Sequence, residues 1–151
     1  SGNDAEQGGG ILVDAGITMV HATVSGNRAD RGDAIYGSGP ETSSVTNSLI
    51  DGECGVSFVI SGGYNIESPG DTCGFDQPTD QVNVLSAALV LGPLQDNSGP
   101  TETHALGAGS VAIDRIPAGE CVDADGDPLT SDQRGEPRDS TCDIGAFEVQ
   151  P

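Results

Sequence analysis

Hydrophobic and polar positions alternate along residues 17–24, which read I-T-M-V-H-A-T-V, and the β-branched content of this stretch predicts a strand. The alternation places Val20, Ala22 and Val24 inward and leaves Met19, His21 and Thr23 outward. The pattern then recurs. "TNSLIDGE" at 46–53 aligns with "VHATVSGN" at 20–27, an offset of 26 that puts Ser48 and Ile50 in the places of Ala22 and Val24. "SGNRADRGDAI" at 25–35 repeats "SGNDAEQGGGI" at 1–11, with six of eleven positions identical and an offset of 24. Periods of this size are longer than a hairpin and shorter than a βαβ unit.

They fit one coil of a right-handed parallel β-helix, whose coils stack about 4.8 Å apart so that equivalent residues lie above one another. Small inward side chains suit its narrow interior. Asn3 and Asn27 recur at the same point and suit a left-handed turn, which Asn tolerates better than most residues. An antiparallel β-sandwich would give similar strand and turn signals, but direct repetition with a constant turn favours the solenoid. From about residue 80 the repetition stops. "VNVLSAALVLGPLQ" at 82–95 holds the longest apolar run, and turn-rich, non-repeating sequence follows. The expectation is an all-β chain of one domain, with β-helix coils at 1–79 and an irregular C-terminal cap at 80–151.

Further motifs then occur in order: "GGYNIES", "CGF", "LGPLQDNSGPTETHAL", "GSVAID", "DQRGEPR" and "CDIGAFE". Together they resemble the C-terminal region of choice-of-anchor Q domain proteins, a family of bacterial and archaeal surface proteins with right-handed parallel β-helix repeats. The chain departs from that pattern at Ser98-Gly99, where the family has Gly-Gly, and at Val111, where it has Pro. The resemblance implies surface display, a structural or adhesive role, and a sorting or anchoring tail beyond Pro151. It implies no established reaction.

Composition narrows the partners. Only 34% of residues are apolar, Trp is absent, and 23 Gly and nine Pro point to many turns around a thin core. There are 24 Asp plus Glu against five basic residues, all Arg, for a net charge of -19. Nucleic acid and anionic membrane surfaces need clustered cations and are disfavoured as partners. No apolar run reaches transmembrane length, so no membrane insertion is expected. Cysteines 54, 73, 121 and 142 form no C-x-x-C motif and allow three disulfide connectivities. The local pairing, Cys54 with Cys73 and Cys121 with Cys142, closes two loops of similar length. Bridged cysteines place the chain in an oxidising, extracellular or cell-surface compartment.

Candidate chemistry is sparse. Asp123, Asp125, Asp127 and Asp132 in "DADGDPLTSD" could offer oxygens to Ca²⁺, although the Gly falls one position early for an EF-hand loop and no Glu closes it. Arg134 and Arg138 are read as structural, their guanidinium groups holding carboxylates of the acidic cap together. Asn3, Asn27 and Asn65 are read as structural too. Arg31–Asp33 spells RGD, an integrin-type tripeptide lying in the repeat's turn. No compact acid–base pair stands out among Asp14, Asp30, Asp33 and Asp51, and His21 and His104 lie far apart. The expectation is a non-enzymatic structural or adhesive protein, self-associating head to tail through an open N-terminal coil and the C-terminal cap. Surface glycans or proteins are further partners. A carbohydrate-binding or polysaccharide-cleaving β-helix is the alternative. The half-repeat at Ser1 implies either a longer solenoid or an exposed edge where a partner docks.

Overall fold

A computed structural model describes residues 1–37, 39, 41–56 and 59–151. The fold is all-β. Among the described residues the one α-helical segment spans four residues, Ser86–Leu89. Strands are short because Gly and Asn interrupt the β-branched runs every few residues.

Four parallel ladders organise the first half. β1 (Asp4–Gln7) pairs with β5 (Arg28–Arg31), Asp4 opposite Arg28. β2 (Ile11–Val13), β6 (Ile35–Gly37) and β9 (Cys54–Val56) form a second sheet with Ile11, Ile35 and Cys54 in line. β3 (Thr18–Val20), β7 (Ser43–Thr46) and β10 (Val59–Gly63) form the third. β4 (Thr23–Val24), β8 (Leu49–Asp51) and β11 (Ile66–Ser68) form the fourth, and Ile66 is bridged in parallel to Gln81. The register follows the sequence repeats. Ile11 meets Ile35, 24 residues on, and Val24 meets Ile50, 26 residues on.

One expectation fails within the first pass. Met19 and His21 are buried, whereas Val20 and Ala22 are only half-buried; Val24 is inward as expected. Residues 17–24 are not one strand. The chain turns a corner at His21, whose φ of 48° is left-handed, so the two-residue alternation restarts beyond it. Asn47 and Tyr64, both at φ 54°, occupy the same corner in the next two passes. The backbone stitches this column together: His21 N–H donates to Thr46 C=O, and Asn47 N–H donates to Gly63 C=O.

A second correction concerns Asn3 and Asn27. Neither has positive φ; Gly2 (φ 72°) and Gly26 (φ 65°) hold the left-handed position beside them. Glycine takes that position without a Cβ clash. The asparagines stack instead, Asn3 donating from both its backbone N–H and its Nδ2 to Asn27 Oδ1 at 3.2 and 3.0 Å.

Two apolar clusters share one wall. Val24, Ile35, Val45, Ile50 and Phe75 pack inside the ladders. Leu49 and Ile66 face the other way and meet Leu89, Leu106, Ile116 and Ile144 from the second half. The fourth sheet is therefore covered on both faces, as parallel sheets generally are. Each fully buried Leu or Ile here contributes about 1.5–3 kcal/mol. The second half adds two antiparallel pairs, β12 (Leu91–Gln95) with β13 (Thr103–Leu106) and β14 (Ile116–Pro117) with β15 (Thr141–Cys142). The two disulfides join Cys54 to Cys73 and Cys121 to Cys142. Among the described residues no helix is long and apolar enough to cross a membrane.

Candidate functional site

The densest chemistry lies where residues 130–149 return to the corner column. Gly145 N–H donates to Asn47 C=O at 2.9 Å, and Ala146 N–H donates to Thr23 Oγ1 at 3.0 Å. Gly145 has φ 102°, and a Cβ there would lie 2.5 Å from Thr23 Oγ1 and 3.5 Å from Leu49 Cβ. Only glycine permits so close an approach.

Behind this contact sits a buried charge network. Arg138 Nη1 meets Glu148 Oε2 at 2.7 Å, both side chains 1% exposed, and Arg138 Nη2 donates to Gly145 C=O. Arg134 reaches Asp132 Oδ2 at 2.8 Å, donates to Glu148 C=O, and lies 3.6 Å over the Phe147 ring. Asp143 accepts the N–H groups of Asp114 and Val149. Burial pushes the Asp143 and Glu148 carboxyls above their ordinary values and outweighs the hydrogen bonds and the nearby Arg138. Burial likewise lowers Arg138 despite its carboxylate neighbours. Asp132 behaves differently. Burial raises it, but the N–H of Glu148 and the side chain and N–H of Arg134 together hold it below its ordinary value.

His21 completes the cluster. Burial, and then the charge of Arg138, lower its pKa to about 3, so the imidazole is neutral near pH 7. Asn47 Nδ2 lies 3.0 Å from His21 Nε2 and donates to Glu120 C=O at 2.8 Å. Among the described residues, His21 Nδ1 and Arg138 Nε are buried without a hydrogen-bond partner. Both residues border an open cleft of about 400 Å³, whose rim includes Thr23, Ser131 and Gln133.

The other candidates are scattered. Asp123 Oδ1 accepts the N–H groups of Asp125 and Asp127 in an exposed turn, while both oxygens of Asp132 are engaged by Arg134, Glu136 and Glu148. The four aspartates are not gathered into one ligand set, and among the described residues no group of three or more His, Cys, Asp or Glu is placed to hold a metal ion. Asn65 is fully buried, accepting Ser48 N–H and donating to Val45 C=O and Ser61. In the RGD tripeptide Gly32 is buried beneath the stack and Asp33 accepts Ala29 N–H, so the motif does not protrude. His104 bridges Gly92 C=O and Ser1 Oγ.

Asn47, Glu67, Asp143, Gly145 and Glu148 carry roles that sequence reasoning did not assign. Glu67, fully buried, accepts hydrogen bonds from Thr72 and from Cys73 N–H beside the first disulfide. The available signal was "CDIGAFE", where polar residues alternate closely with apolar ones near Arg134 and Arg138. No family model matches the chain, and neither a curated protein nor a solved structure matches it. The cluster's charges are engaged with one another, and its histidine titrates far below neutrality. The arrangement can clamp the C-terminal segment to the ladders.

Proposed function

We propose that this chain is a non-enzymatic structural or adhesive module of the extracellular space or cell surface. In this reading it is a right-handed parallel β-helix of the choice-of-anchor Q type, with residues 80–151 as the irregular part of the same unit. One observation carries it. Four parallel ladders stack at offsets of 24 and 26 from the first pass to the second, three of them continue into a third pass at shorter spacing, and among the described residues each first-pass strand, β1, β2, β3 or β4, has a single neighbour. Free edges of stacked strands are templates for another strand, and a head-to-tail contact that does not close builds a filament. The two disulfides accord with an oxidising compartment.

Sedimentation and electron microscopy over a concentration series test it. Wild-type protein is expected to form linear assemblies, and Leu12→Lys, on exposed β2, is expected to keep the fold and stay monomeric. Monomers at every concentration overturn the self-association. A second reading rests on the cleft beside His21, whose Thr, Ser and Gln rim suits sugar hydroxyls. Titration with neutral and acidic oligosaccharides, reading His21 ring shifts by NMR, separates it: no shift with any sugar removes it.

A further inference from the structure

Asp127–Pro128 is the only Asp-Pro bond in the chain. Both residues are exposed, on the returning arm of a turn that starts beside Cys121. The turn is fixed from several directions. Asp123 N–H donates to the main-chain carbonyl of Asp127 at 2.9 Å, and Asp123 Oδ1 accepts Asp127 N–H at 3.0 Å. Val122 and Pro128 form an antiparallel bridge, and Leu129 N–H donates to Cys121 C=O. Among the described residues no hydrogen bond engages the exposed Asp127 carboxyl, which leaves it free to react.

We infer that Asp127–Pro128 is a self-cleavage site of the folded protein in mild acid, producing a two-chain molecule that the Cys121–Cys142 disulfide keeps whole. The Asp127 carboxyl oxygen attacks the main-chain carbonyl carbon of the same residue, forming a C–O bond and closing a five-membered cyclic anhydride. The C–N bond to Pro128 breaks, and the proton of the carboxyl passes to the proline nitrogen, which leaves as a secondary amine. Water then opens the anhydride, restoring the Asp127 side chain and giving it a free α-carboxyl. No redox partner is involved. Two features make this bond the weak point. The proline nitrogen, part of a tertiary amide, is a better base and leaving group than a secondary amide nitrogen. Asp123 N–H points at the carbonyl oxygen on which negative charge develops, a fixed donor that an unfolded chain lacks. The cut falls between Cys121 and Cys142, so the second chain, starting at Pro128, stays bonded to the first. It also keeps its contacts with Asn47 and Thr23.

The test holds the full chain in mildly acidic buffer, with circular dichroism confirming the native fold, and samples it over days. Non-reducing gels are expected to show one species, heavier by one water in mass spectrometry. After reduction, chains 1–127 and 128–151 are expected, the second beginning Pro-Leu-Thr. Asp127→Ala and Pro128→Ala change exposed side chains and are expected to abolish the cut. Asp123→Ala, which loosens the turn, and the denatured chain at the same pH are expected to react several-fold more slowly. Cleavage at another bond, equal cleavage in Pro128→Ala, or a denatured chain that reacts as fast as the native one each overturns the proposal.

Discussion

At the scale of single residues, one histidine and one arginine govern how this protein responds to pH and to substitution. His21 has a folded pKa of about 3 against an unfolded value near 6.5. Between these values the unfolded chain binds the extra proton, so the His21 contribution is complete above about pH 6.5 and is lost as pH falls toward 3. The full shift corresponds to a loss on the order of 5 kcal/mol. His21→Asn is expected to flatten this slope in urea melts across the window, because Asn suits the left-handed corner that Asn47 already occupies. An unchanged slope would show that other groups set it. Asp143 and Glu148 act in the opposite sense: with raised folded values, their contribution is full below the ordinary carboxylate range and lost as pH rises through it. Arg138 is the cation that makes their burial tolerable. Arg138→Met is expected to cost about 3–5 kcal/mol by leaving Glu148 buried without its partner. Combining it with Glu148→Leu is expected to recover much of that loss, and a double variant as unstable as the single one would place the cost in packing.

At the scale of elements, stability depends on how closely the C-terminal segment meets the fourth sheet. Gly145→Ala is expected to lower stability by about 2 kcal/mol, since its φ of 102° and the contact with Thr23 exclude a side chain. Chemical denaturation reads the loss, and Thr23→Ala in the same background should return part of it. Much of the ladder register was legible in the repeats: the 24- and 26-residue offsets reappear as Ile11 opposite Ile35 and Val24 opposite Ile50. The corner at His21 was not, because a left-handed histidine has no sequence signal and alternation read through it inverts Met19 and His21. The Asn pair at 3 and 27 was legible as a repeat but not as a side-chain ladder, since glycine relieves asparagine of the left-handed position. Asp132 differs from Asp123, Asp125 and Asp127 in a way the sequence does not show, because only the fold brings Arg134 and the Glu148 N–H onto it.

At the scale of the whole molecule, charge opposes both folding and edge-to-edge contact. The chain carries -19, and two of its five cations, Arg134 and Arg138, are held in the buried network. What faces solvent is close to a single sign, so compaction and association both bring like charges together. Salt shortens the range of that repulsion from about 30 Å at 0.01 M to about 8 Å at 0.15 M. Melting temperature is therefore expected to rise with sodium chloride over this interval and to level off beyond it, since the buried Arg138–Glu148 pair is little screened. Linear assembly should follow the same curve. On the proposed head-to-tail reading, low salt holds the acidic molecules apart and screening lets one copy approach another. A thermal scan and light scattering on the same salt series measure both effects together. If melting temperature climbs while scattering stays monomeric, charge was the barrier to folding alone and the proposed head-to-tail contact does not form.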